Sequence, residues 1–174
     1  SSECALPILT FILQGKETPF DTEIFKPVMD KLTELAANDI LVSKRIVAEH
    51  MRASIMIISD GGKPSNVDRG YVLRKLIRRM VRHMNKLQIS LDELSSLLEL
   101  NIKTLSELYP ALEGNKELII TTVIDEKNKF IQTLEKGKRE FHKAVEKARK
   151  EGNSKIDGLV VFKLYETYGF PPEL

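Results

Sequence analysis

An all-α fold, a multi-helix bundle with one long helix and no substantial sheet, is what this 174-residue sequence predicts. Two observations carry that expectation: apolar residues recur every three or four positions along most of the chain, and β-branched residues seldom alternate with polar ones for more than a few positions. With 42% hydrophobic and 30% charged residues, the chain is long enough for one globular core or a compact domain with an appendage.

The elements follow in order. An apolar run from Ala5 to Leu13 stops at Gly15; if it is helical, Pro7 places its start near that residue, because proline is tolerated in a first turn and not in a helix interior. After the turn-rich KETPFDT, the residues Ile24, Phe25, Val28, Leu32 and Leu35 recur at helical spacing, with Pro27 in the first turns or at a kink. Ser43 is placed to cap a helix reaching about Asp60, with Ile46, Val47, Met51, Ile55 and Ile58 on its apolar side and Gly61 and Gly62 as its stop. GGKPSNVD is dense in turn formers, and Asp68 is placed to cap the next helix.

That next helix, RGYVLRKLIRRMVRHMNK, carries Arg69, Arg74, Lys75, Arg78, Arg79, Arg82 and Lys86 and no carboxylate, in a chain of net charge +2. Wound at about 100° per residue it sets Val72, Leu73, Leu76, Ile77, Met80, Val81 and Met84 on one half and the basic residues on the other. Ser90 and Glu93 then have capping-box spacing ahead of LDELSSLLEL, and a short helix closes near Tyr109 and Pro110. From Lys116 to Lys150 a single long helix is expected, with Ile119, Val123, Phe130, Leu134, Phe141, Val145 and Ala148 along one side; Gly137 weakens its interior by about 1 kcal/mol relative to alanine. Gly152 and Asn153 end it. A last helix capped by Asp157 would carry Leu159, Val160, Phe162, Leu164 and Tyr165 before Gly169, Pro171 and Pro172.

Several function classes drop out. No apolar stretch reaches about 18 residues and the first residues lack a secretory signal, so a soluble chain is expected. The lone Cys4 has no partner for a disulfide and suits a reducing, cytoplasmic location. His50, His83 and His142 are not at metal-motif spacing, and there is no phosphate-binding glycine loop, nucleophile elbow or HExxH. Acid pairs such as Asp92 and Glu93 read as structural. No catalytic residue and no metal ligand is assigned, and no cofactor is expected to bind this chain.

A recognition surface is left: a basic helix entered through a loop holding Pro64, Ser65 and Asn66. Arginine makes charge-assisted bonds to phosphate oxygens, whereas an asparagine amide both donates and accepts and can read a base edge beside a groove. In RNA the readable edges of an A-form stem face the shallow minor groove. Two bland readings stand beside this one: a solvated basic face, and an Asn66 that bonds only its own turn.

The residues Arg45 to His83, RIVAEHMRASIMIISDGGKPSNVDRGYVLRKLIRRMVRH, closely resemble the segment of the alanyl-tRNA synthetase family that opens its helical tRNA-recognition domain. FKLYETYGFPPEL, Phe162 to Leu174, resembles that family's FxLYDTYGFPxDL-like stretch. Leu13 to Pro27 is similar to its passage after the catalytic core, and Glu126 to Phe141 to its long helix. All four stretches occur in the family's order, and together they cover nearly the whole chain.

The resemblance implies a single helical tRNA-recognition domain over 1–174, with 1–20 the tail of the catalytic core, 43–86 the helix, loop and basic helix, 114–151 the long helix and 157–174 the terminal recognition helix. Members of the family join alanine to its tRNA using ATP and identify that tRNA by a G·U pair in the acceptor stem. The family's base-reading Asn and Asp correspond to Asn66, identical, and to Glu166, whose extra methylene alters its reach. Arg69, Arg74, Lys75, Arg78, Arg79 and Arg82 are then expected to hold the tRNA backbone, with Tyr165 and Tyr168 packing the last helix. Where the family's Gly-x-Glu-Arg motif would fall, this chain has Ala5, Leu6, Pro7 and Ile8. The resemblance therefore implies that ATP with magnesium belongs to a catalytic core, and zinc to an editing domain, both outside this stretch. The implied partners are the acceptor stem of tRNA-Ala and the catalytic domain of the same enzyme. This stretch alone is expected to be inactive, and a helical docking module with incidental RNA contact is the alternative.

Overall fold

In a computed structural model of the chain, residues 2–150, 152–153 and 155–168 are described, the side chains of 2–7, 163 and 165–168 excepted. Among the described residues there are α-helices and no strand: α1 (Ser2–Leu13), α2 (Lys26–Leu35), α3 (Leu41–Ser59), α4 (Asp68–Lys86), α5 (Leu94–Ser106), α6 (Ala111–Gly114), α7 (Lys116–Lys150) and α8 (Gly158–Tyr168). Short 3-10 turns at Pro19–Asp21 and Leu91–Glu93 precede α2 and α5. The chain packs into two compact units, Ser1–Glu126 and Lys127–Leu174.

In the first unit α3 packs most extensively against α4, and α2 and α5 complete the core. Val47, Met51, Ile55 and Ile58 of α3 meet Leu73, Ile77, Met80 and Met84 of α4, joined by Val28, Leu32, Leu94, Leu97, Leu98, Ile102, Ile119 and Val123. These are the positions that helical periodicity selects, and each buried aliphatic chain contributes about 1.5–3 kcal/mol. Pro27 sits in the first turn of α2, where its missing N–H costs no helical hydrogen bond.

Some local expectations give way. Pro7 lies inside α1, which begins at Ser2, so the helix runs through it with one hydrogen bond missing. Ser43 is not a cap: α3 starts two residues earlier, and the Ser43 side chain is buried against α4. Asp68 makes no cap hydrogen bond either; it enters α4 as its first residue with φ 49°. Ser90 does cap, but it accepts from Asp92 N at 3.3 Å and closes a 3-10 turn rather than a box with Glu93. Val72 is exposed rather than packed, because at about 100° per residue it falls beyond the edge of the stripe formed by Leu73, Ile77, Met80 and Met84.

The stop after α3 is as expected. Gly61 N bonds Ile58 O at 2.9 Å and Gly62 N bonds Ile57 O at 2.8 Å, with Gly61 at φ 86°, the left-handed closure that glycine allows.

In the second unit α7 continues unbroken through Gly137 to Lys150, its outer face laced by Lys138–Glu135 and Lys143–Glu140 pairs. Asp157 caps α8 through Oδ1, which accepts from Leu159 N at 2.8 Å. Leu164 is buried there, while Leu159 and Phe162 are exposed and so leave the predicted apolar side. Gly169, Pro171 and Pro172 lie outside the described residues.

Candidate nucleic-acid interface

The site begins at the loop between α3 and α4, which backbone and side-chain bonds hold shut. Ser65 N donates to Gly70 O at 3.1 Å, Ser65 Oγ donates to Val67 O at 2.8 Å, and Tyr71 N donates to Val67 O at 3.0 Å. Only glycine fits at position 70: a Cβ there would overlap the Lys63 carbonyl and Ser65 Oγ, and would stand 2.8 Å from Ser65 Cβ. The loop therefore lies directly on the first turn of α4. Asn66 projects from it, exposed, and its Oδ1 accepts a hydrogen bond from Arg74 Nη1.

Arg74 is positioned in turn by an aromatic ring. Its Cζ lies 5.4 Å from the centroid of the Tyr71 ring, and Lys75 Nζ lies 5.3 Å from the same centroid. Spacings of three and four residues make these three neighbours on one helix face, and a cation over a ring is attracted to its quadrupole. Tyr71 is 41% exposed. Sequence reasoning passed over it; its signal was a lone aromatic residue three and four positions before two cations.

The remaining cations divide by environment. Arg69, Lys75, Arg79 and Lys86 are exposed. Lys75, Arg79, Arg82 and Lys86 form one row along about 16 Å of helix, since steps of four, three and four residues return to one face. Arg69 projects on the core side of the helical wheel and is exposed because it stands in the first turn.

Arg78 is engaged within the fold. Its Nε donates to Glu126 Oε1 at 2.7 Å, with the Arg78 side chain 20% and that of Glu126 6% exposed. Glu126 sits between Val123 and Phe130 on the apolar stripe of α7, and it too was missed. A carboxylate in register with buried aliphatic residues, opposite a helix with no acid of its own beyond Asp68, was the signal available.

Farther along α4, His83 Nδ1 and Ser43 Oγ share a hydrogen bond of 3.0 Å. Burial, and then the charges of Lys86, Arg79, Arg82 and His50, push the His83 imidazole down to about 4. His50 is likewise lowered, by burial first and against Glu49, so both rings stay neutral near pH 7 beneath the cationic row. Glu166 falls within α8 and its side chain lies outside the described residues. Among the described residues no three His, Cys, Asp or Glu side chains converge to hold a metal, and no helix is long and apolar enough to cross a membrane.

Fold and site together define an all-helical module with a cationic helix face and an amide-bearing loop at its head. Residues 6–174 match the family profile for tRNA synthetases class II (A). The chain belongs to that family of class II tRNA synthetases. Its similar proteins include the alanine–tRNA ligase of Treponema pallidum, 42% identical over 173 residues that cover 94% of this chain and 28% of that protein. Those of Prochlorococcus marinus strain AS9601 (38% identical, 94% of this chain and 19% of that protein) and Bdellovibrio bacteriovorus (33%, 93% and 20%) are similar over the same stretch. The chain thus spans between 19% and 28% of the length of these relatives.

Proposed function

We propose that this chain is the part of an alanine–tRNA ligase that binds the acceptor stem of tRNA-Ala and reads its G·U pair, so that a catalytic domain of the same enzyme can attach alanine using ATP. The observation that supports it best is the loop before α4, where Asn66 is fixed by Arg74 next to exposed Arg69 and Lys75. An amide held beside cations has the composition of a base reader set among phosphate contacts. Asn66 and Glu166 are the proposed base-reading residues. Arg69, Lys75, Arg79 and Arg82 would contact the sugar–phosphate backbone, while Arg74 and Arg78 would contribute field from positions already engaged with Asn66 and Glu126. The protein would act in the cytoplasm.

A second reading, docking of a catalytic domain with only incidental RNA contact, draws on one observation. Ile8, Leu9, Ile12 and Leu13 of α1 are all exposed and fall on one side of the helix, an apolar face of the kind that marks interaction surfaces. An electrophoretic shift with a tRNA-Ala acceptor minihelix separates the two. Binding that weakens steeply with salt supports recognition, because each neutralised phosphate releases counterions; no salt-sensitive binding at low ionic strength leaves docking.

A further inference from the structure

We infer that Tyr71 and Arg74 are positioning residues that lock the Asn66 side chain as a hydrogen-bond donor, so that the loop reads an acceptor on a base edge, such as a carbonyl oxygen or a ring nitrogen. The inference rests on the RNA-reading role proposed above and specifies its chemistry.

A guanidinium has five N–H donors and no acceptor, and an amide nitrogen likewise only donates. The Asn66 atom facing Arg74 is therefore the oxygen. The planar amide then directs Nδ2 elsewhere, and among the described residues Nδ2 has no hydrogen-bond partner. An exposed asparagine ordinarily rotates and offers either group, so it discriminates poorly between a donor and an acceptor on a base. Fixed by Arg74, this one turns its two N–H groups away from the helix and keeps its oxygen, already accepting one hydrogen bond, on the Arg74 side.

Arg74 needs fixing as well, because a long, half-buried side chain loses rotamer freedom when it is held. Tyr71 supplies the platform: its ring lies 5.4 Å from Arg74 Cζ on one helix face, with Lys75 Nζ 5.3 Å from the ring. The planar guanidinium lies over the ring and bonds Asn66 through Nη1, and its fixed fork of donors is a geometry that a lysine ammonium lacks. Gly70, one residue before Tyr71, keeps the loop close enough for the chain Tyr71, Arg74, Asn66 to close.

The test uses the whole 174-residue chain and has two arms. In the first, without RNA, the ordering of the Asn66 side-chain amide is measured by 15N relaxation. The parent and Tyr71→Phe, which keeps the ring, should give an order parameter above about 0.6; Arg74→Lys and Tyr71→Leu should fall below about 0.6. An Asn66 amide equally ordered in Arg74→Lys overturns the inference. In the second arm, binding is compared for acceptor minihelices carrying a G·U or a G·C pair. Arg74→Lys keeps the charge, so affinity for the G·C stem should hold within about two-fold while the preference for G·U drops at least about five-fold. Asn66→Asp, which can still accept from Arg74 but cannot donate, should lose that preference with the fold intact. A preference unchanged in Arg74→Lys makes Arg74 a plain phosphate contact and sinks the inference. A parent without any preference for G·U refutes the base-reading role instead, and the relaxation arm still decides whether Arg74 and Tyr71 hold the amide.

Discussion

The two halves of α4 contain the same residue types and use them differently. At the head, Arg74 faces solvent and loop, and through the Tyr71 ring and Asn66 it organises a surface. One turn farther on, Arg78 turns inward and joins α4 to α7 through Glu126, and beyond it His83 meets Ser43 of α3. The difference is in the partner. An arginine beside an exposed amide orders a surface loop, while an arginine opposite a nearly buried carboxylate joins two helices. A count of cations on a helix cannot distinguish the two.

The largest effect that would sharpen this contrast is at Glu126. Glu126→Leu should destabilise the fold by roughly 2–3 kcal/mol in urea unfolding, because it removes the carboxylate bonded to a mostly buried guanidinium; Arg78 remains 20% exposed, so the cost stays below the ~3–5 kcal/mol of a fully buried pair. The double replacement Arg78→Met with Glu126→Leu should recover most of that loss. No loss in the single variant would place Arg78 with the surface cations.

Next comes Gly70→Ala, which should cost about 1–3 kcal/mol, because the new methyl meets Lys63 backbone that cannot swing aside. Thermal unfolding checks it; an unchanged midpoint would mean that the loop is not held on the helix.

A smaller effect belongs to pH, because His83 is only half-buried and solvent screens part of its interactions. His83 is held at about 4 in the fold against an ordinary 6.5, so the unfolded chain binds the extra proton between those values. Its contribution to stability is complete above pH 6.5, is lost as pH falls toward about 4, and changes no further below that. The melting temperature of the parent should therefore fall more steeply across that window than that of His83→Gln, in which carboxylate titration is the same. Parallel curves would remove His83 from the inner half's packing.

Much of this was legible in the sequence. Periodicity located the long helices within a few residues, because their buried stripes obey a 3.6-residue repeat that no tertiary contact overrides, and glycines at 61, 62 and 152 marked their ends. What periodicity could not supply was the partner of a polar side chain. Ser43 has the chemistry of a cap and became a contact for His83, since α3 starts at Leu41 and carries Ser43 onto the face toward α4. Asp68 has it too, yet the loop is closed by Ser65 instead. Tyr71 and Glu126 gave weak signals for the same reason: each matters through residues three or four positions away or on another helix, and their types alone read as surface aromatic and solvated acid. Asn66 was singled out by its motif, while its tie to Arg74, eight residues along, needed the folded loop.

The central claim, that the head of α4 reads a base pair while its inner half holds the fold, is tested most directly by measuring the affinity of the parent chain and of Asn66→Ala for the G·U and G·C acceptor minihelices at one salt concentration. The account predicts that the parent prefers the G·U stem by about 1–3 kcal/mol and that Asn66→Ala loses this preference while keeping its affinity for the G·C stem. An equal loss of affinity for both stems in Asn66→Ala would contradict it.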